Sequence, residues 1–153
     1  MRKLFPYKGV EFTLEKMKIQ IADSLPYCYQ HFNNLKTPEQ VWNAIKPKVK
    51  YISDPPGLEL LQTVPTLLDA KKNWHKIPGA GDCDCFTIFA LSVLYVNKYV
   101  DKYAVLVGNN INDPSHIYAG VKYKGRFIAL DFTNPAINIE RPYKYRQILP
   151  FTL

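Results

Sequence analysis

The sequence predicts an α+β fold: N-terminal helices, a central buried helix, and an antiparallel β-sheet on which they pack. Three observations carry this. Apolar residues recur at helical spacing in 13–25 and 37–46. From Cys85 to Val96 the chain is apolar on all sides, with the length of a helix and no alternation. Strand-like runs follow, two of them flanking Lys124–Gly125 as a tight hairpin would. The 153 residues suit a single compact domain, with a helical segment at 1–50 packed on a core at 51–153.

In chain order, "TLEKMKIQIADSL" (13–25) places Leu14, Met17, Ile21 and Leu25 on one face. Thr13 can cap it, with Lys16 where a capping box prefers Glu, and Pro26 is expected to stop it. In "TPEQVWNAIK" (37–46), Thr37 is the N-cap and Pro38 opens the helix. Val41, Trp42 and Ile45 form its buried face, and Pro47 ends it. The stretch 52–81, punctuated by Pro and Gly, reads as loop and short helical turns. Strands are expected at 102–108, 116–123 and 126–132, with "NNINDPS" as a turn between the first two. The tail from Thr133 has three prolines and is expected to lie extended across the domain.

Composition excludes several classes. Hydrophobic residues are 47% and charged residues 22%, as in ordinary globular chains. A chain of this length buries roughly 70% of its unfolded surface and needs no disulfides. Three cysteines make an odd count and no secreted framework. The opening "MRKLFPYKGVEF" lacks an apolar run, so no signal peptide is expected, and no stretch reaches the ~18 apolar residues of a membrane span. The expected location is the cytoplasm, or a virion assembled there. The net charge of +7 is scattered along the chain and reads as solvated faces. "KYKGRF" and "RPYKYRQ" interleave Tyr with basic residues, as nucleic-acid contacts do. A hairpin tip and an exposed tail also look like this, and nucleic acid is not the expected partner.

The chemistry concentrates at "GAGDCDCFTIFALSVL" (79–94). Gly79 and Gly81 permit close backbone approach, and Asp82 is a good N-cap. Cys83 then falls in the first helical turn, where free N–H groups and the helix dipole lower a thiol pKa and can hold an oxyanion. Asp82 and Asp84 oppose thiolate formation, so a cationic partner is needed. His116, opening a strand, is the candidate base. A two-residue hairpin at Lys124–Gly125 sets His116 opposite position 133, and Asp131 shares that face two residues away. Asp131 is then within diagonal reach of the imidazole and can fix its tautomer. Asp113 is a rival acid, more naturally a support for its own turn.

Other readings of these residues stand beside this one. Cys83 could be a core cysteine, as many free cysteines are. Cys85, about 200° round the helix from Cys83, reads as core, and Cys28 as packing. A zinc site from Cys83, Cys85 and His116 lacks a fourth ligand, and the helix splays its thiols, so no metal is expected. His31 and His75 read as surface or loop residues.

"GDCDCFTIFALSVL" followed by "SHIYAGVKYKGRFIALDFTNP" resembles the core of the transglutaminase-like cysteine hydrolases, on the papain-like scaffold. Their pattern is Gly-x-Cys opening a helix, His opening a strand, and Asp on the following strand. The usual text is closer to "GDCDD"; here Cys85 replaces an acidic or small residue. The upstream "DPPGLELLQTVPTLL" resembles short phage-encoded members. The likeness is good over 79–135, weaker over 51–78 and absent over 1–50. It implies Cys83 as nucleophile, His116 as base and Asp131 as orienting acid. It also implies attack on an amide bond of a peptide or similar substrate through a thioester, with no cofactor. Gln62 and Trp74 are the implied candidates for a side-chain oxyanion donor. The alternative is a catalytically silent structural or adaptor protein, with phage structural proteins as partners.

Overall fold

The computed structural model describes residues 2–6, 10–110 and 113–153, and the side chains of 13–110 and 114–153. The fold is α+β. Helix α1 (Val10–His31) precedes α2 (Pro38–Ile45) and the short α3 (Val64–Leu68), and α4 (Cys83–Val96) follows as the central helix. Strands β5 (Lys102–Asn110), β6 (Asp113–Tyr123), β7 (Arg126–Leu130) and β8 (Tyr145–Pro150) form an antiparallel sheet in the order β7-β6-β5-β8. Two small pairings complete the topology. β1 (Arg2–Pro6) pairs antiparallel with β3 (Leu58–Gln62), and β2 (Lys50–Tyr51) pairs parallel with β4 (Ala80–Gly81). No helix among the described residues is long and apolar enough to cross a membrane.

Helix α4 is buried almost all round. Cys85 through Leu94 are within 2% of full burial and Tyr95 alone is exposed. It packs against α1 on one side and β6 on another, with α2 and β3 completing the shell. Phe89 meets Phe32 edge-on at 5.0 Å. Burying side chains such as Phe89, Ile88 and Leu91 stabilises by roughly 1.5–3 kcal/mol each. A smaller cluster (Val105, Val107, Tyr118 and Ala129) lies on the opposite face of the sheet, under Phe127 and Tyr143.

The hairpin is as the sequence reads. Tyr123 pairs with Arg126, and Lys124 and Gly125 have φ of 51° and 77°, the left-handed pair of a type I′ turn. The ladder runs to Ala119 opposite Leu130. Asp131 stands one residue beyond β7 rather than on it. The β5–β6 ladder is irregular beside His116: Val107 pairs with His116, but Gly108 pairs with Pro114. A bulge of this kind re-aims the side chain next to it. The turn read at 109–115 is shorter than expected, since both strands run into it; residues 111 and 112 lie outside the description, as does the side chain of Asp113. The tail is extended and enters the sheet as β8 on the free edge of β5.

Two expectations are corrected. Pro26 does not stop α1, which continues to His31. Pro26 and Ala22, whose carbonyl loses its bond, both face solvent, while Met17, Ile21 and Cys28 hold the other face in the core. The stretch 52–81 contains the strand β3, because residues 58–62 pair with the distant β1. In the loop before α4, Gly79 has φ 82°, and a Cβ there would stand 1.7 Å from the Lys48 carbonyl oxygen. Only glycine lets the chain pass this close to the turn at Lys46–Lys48, just after α2, on its way to β4.

Candidate active site

Asp82, Cys83 and Asp131 are set by element ends, whereas His116, expected to open its strand, lies inside β6 beside the bulge. Asp82 is the N-cap of α4, its carboxylate accepting from the Asp84 N–H at 3.2 Å. Cys83 is the first residue of that helix and is half-buried. Its carbonyl accepts from Thr87 Oγ1 at 2.7 Å, and its sulfur is hydrogen-bonded by the Ile117 N–H of β6. The thiol is thereby joined to the strand residue next to His116.

His116 Nε2 lies 2.7 Å from Asp131 Oδ2. Asp131 is 4% exposed, and its other oxygen accepts from the Thr133 N–H and Oγ1 at 3.1 and 2.7 Å. Burial works to raise the Asp131 pKa; the His116 hydrogen bond, its charge and the Thr133 bonds outweigh it and hold the carboxyl below its ordinary value. The turn after Asp131 is anchored from the N-terminal half: Phe132 stacks on Trp42 at 4.4 Å, and Lys46 Nζ donates to the Phe132 carbonyl at 2.9 Å. The His116 ring is flanked by Tyr118 at 5.7 Å and Tyr143 at 6.2 Å. Burial, together with the nearby Asp131 and Cys83, raises the Tyr143 pKa. Tyr143 went unremarked in the sequence, sitting in a tail whose tyrosines and basic residues carry no periodic signal.

Cys83 and His116 open on one cavity of about 310 Å³, which Asp54, Glu59, Asp82 and Asp84 also line. The thiol's electrostatics differ from the helix-dipole expectation. Burial first, then the Asp84 and Asp82 carboxylates, push the Cys83 thiol well up; the Ile117 N–H acts weakly the other way. Burial, with Asp54 beside it, pushes the Asp82 carboxyl up to about 8. Asp84 is raised by burial and by its hydrogen bond with Glu59.

A raised carboxyl pKa has a definite sign in stability. The folded chain keeps a proton on Asp82 that the unfolded chain releases near pH 3.9, so stability falls as pH rises from there to about 8. Asn caps a helix as well as Asp and can still donate to Asp54. Asp82→Asn is therefore expected to raise stability by roughly 1–2 kcal/mol at pH 8, or about 2–8 °C in Tm. Thermal unfolding at pH 8 and pH 4 checks this, because the gain should vanish at the lower pH.

Gln62 and Trp74 are not brought to the cavity. Gln62 is fully buried; its amide nitrogen donates to the Ala80 carbonyl at 3.1 Å and faces Cys85 Sγ at 3.9 Å. Its oxygen accepts from the Trp74 N–H at 3.1 Å. Both residues pin the loop before α4 from behind, and neither lines the cavity. Cys85 is fully buried with its thiol donating to the Leu60 carbonyl at 3.3 Å, and Cys28 is buried with its pKa pushed up to about 12 by burial. Potential cation ligands do converge, with donor atoms within 4.8 Å, in the sets Asp82–Cys83–Asp84 and Asp54–Glu59–Asp84. Neither includes a histidine or the second cysteine. The His75 backbone N–H donates to Asn73 Oδ1 at 2.8 Å, and His31 packs on Tyr27 at 4.3 Å.

No protein-family model matches the sequence, and no curated protein matches it. Among solved structures the chain is similar to a candidate cysteine protease from Cytophaga hutchinsonii, at 16% identity and a TM-score of 0.48, over 86% of this chain and 49% of that one. It is also similar to a TGase, at 13% identity and a TM-score of 0.34, over 86% of this chain and 34% of that one. The chain thus spans about half the length of the first structure and about a third of the second.

Proposed function

We propose that this chain is a thiol-dependent hydrolase or acyltransferase acting on amide bonds, with Cys83, His116 and Asp131 as its catalytic triad. The observation that carries the reading is the 2.7 Å bond from His116 Nε2 to the buried Asp131, on an imidazole that shares a cavity with Cys83. Asp131 accepts a hydrogen bond from the His116 Nε2–H, so the imidazole presents the Nδ1 lone pair as its base. Cys83 Sγ bonds to the substrate carbonyl carbon as its proton passes to Nδ1. The backbone N–H at the start of α4 is the oxyanion donor. Collapse breaks the C–N bond, and His116 returns the proton to the leaving amine. Water, or a second amine, then gives its proton to His116 and its lone pair to the thioester carbonyl carbon; the C–S bond breaks, the acid or new amide leaves, and His116 returns the proton to Cys83 Sγ.

A second reading has its own observation. The thiol is pushed up by burial and by two carboxylates, as befits a site that has lost its chemistry and kept its shape. The chain would then serve as a structural or adaptor protein, for instance in a phage particle. Alkylation of Cys83 by iodoacetamide, followed by mass spectrometry from pH 5 to 10, separates the two. The enzyme reading expects an inflexion in rate below pH 8 that His116→Ala removes. A single rise above pH 9, identical in both proteins, overturns it. Turnover of peptide and peptidoglycan-fragment libraries then defines the amide.

A further inference from the structure

The cavity beside Cys83 has the opposite charge to the chain around it. The sequence carries 20 Lys and Arg against 13 Asp and Glu. Yet Asp54, Glu59, Asp82 and Asp84 line the cavity, and no Lys or Arg does so among the described residues. Two of these acids are interior and two are outer. Asp82 and Asp84 are each 8% exposed, whereas Asp54 and Glu59 are half-buried. Asp82 is hydrogen-bonded to Asp54 and Asp84 to Glu59. Carboxylate oxygens of Asp54, Glu59 and Asp84 converge within 4.8 Å of one another, and the half-buried Asp54 and Glu59 are the more open members of the acidic wall.

The rest of the wall adds a second, independent feature. Tyr51, Leu58 and Leu106 give the same cavity an apolar side, and Cys83 and His116 give it a reacting end. A slot of about 310 Å³ with an alkyl-sized apolar side and an anionic side is complementary to a cation on an aliphatic stem. Low-dielectric walls focus the field of this acidic wall into the space.

We infer that the amide substrate carries a primary ammonium or guanidinium on an alkyl stem beside its scissile bond, held by Asp54 and Glu59. The inference rests on Cys83 being the nucleophile and names the substrate class for that site. It also accounts for a thiol placed among carboxylates. A bound cation offsets their repulsion of the thiolate, so the group that is recognised also readies the nucleophile.

Three methanethiosulfonates of different charge test this on the intact protein: 2-aminoethyl (cationic), methyl (neutral) and 2-sulfonatoethyl (anionic). Each forms a mixed disulfide with the thiol and releases methanesulfinate. Rates at Cys83 are corrected with Cys83→Ala and divided by those of 2-mercaptoethanol. The corrected cation-to-anion ratio is expected to be at least about tenfold above unity at low ionic strength. It should fall in Glu59→Gln, and fall toward unity in 1 M salt, where the Debye length is about 3 Å. A ratio near unity with a normal neutral rate overturns the cation site and leaves the nucleophile standing. No modification by the neutral reagent overturns both.

Discussion

Cys83→Ala is expected to lose amide turnover by at least about 10³-fold while remaining folded. If Cys83 is the nucleophile of the proposed triad, its removal leaves only binding and oxyanion contributions, so the loss is of the whole covalent route. The fold's stake in the sulfur is its burial and one contact from the Ile117 N–H. Cys83 is half-buried at the first position of α4, its helix cap is the Asp82 side chain, and alanine is the best helix former. Cys83→Ser should be nearly as inactive, since a hydroxyl is a far poorer nucleophile in the same place. Cys85→Ala is the informative control. It removes a fully buried thiol that donates to the Leu60 carbonyl, so it should lower Tm and spare turnover. Turnover assays beside thermal unfolding of all three variants check this. Equal activity in Cys83→Ala and the parent would remove Cys83 from the chemistry.

The parts of this arrangement that were legible in the sequence are those fixed locally. Lys124–Gly125 demands left-handed backbone at both positions, so the turn type and the whole β6–β7 register follow from two residues. That register brings Asp131 to the imidazole, even though Asp131 lies past the strand's end. Asp82 before an apolar run likewise announces the start of α4.

What was illegible is non-local. The strand at Leu58–Gln62 exists because Arg2–Pro6 pairs with it, and no short-range pattern records a partner so far away. Pro26 is a helix breaker on propensity, but its solvent-facing position lets tertiary packing of Met17, Ile21 and Cys28 prevail. Gln62 and Trp74 were plausible donors by polarity and order in the chain. In the fold the Gln62 amide is buried and bonded to Ala80 and Trp74, and neither Gln62 nor the exposed Trp74 lines the cavity. Asp54 and Glu59 gave no signal at all. They come from a segment rich in proline and glycine, and only the folded path of 52–62 turns them toward Cys83. Cavity walls are assembled from several elements, so their charge is a property of the fold rather than of any window.

Asp131→Asn is expected to lower turnover by about 10²–10⁴-fold with the site's shape preserved. In the proposed mechanism the carboxylate, 2.7 Å from His116 Nε2, accepts from it and leaves Nδ1 as the base. An asparagine whose oxygen stays with Thr133, where two donors hold it, turns its NH₂ toward His116. An NH₂ group donates, so Nε2 must become the acceptor and the ring proton moves to Nδ1. The imidazole then faces the thiol with a proton instead of a lone pair. Stability gives an independent readout with its own sign. The Asp131 pKa is lowered in the folded chain, so its carboxylate contributes stability fully above the unfolded value of about 3.9, and loses it as pH falls through the lower folded value. The parent should therefore exceed Asp131→Asn by about 1–3 kcal/mol at pH 7, the worth of a charge-assisted hydrogen bond. That margin should narrow below pH 4. Denaturant unfolding at both pH values, with turnover measured at pH 7, distinguishes the tautomer from mere support. A variant that loses the stability margin yet keeps its turnover would make Asp131 a strut, and one that loses turnover at intact stability would make it a pure orienter of His116.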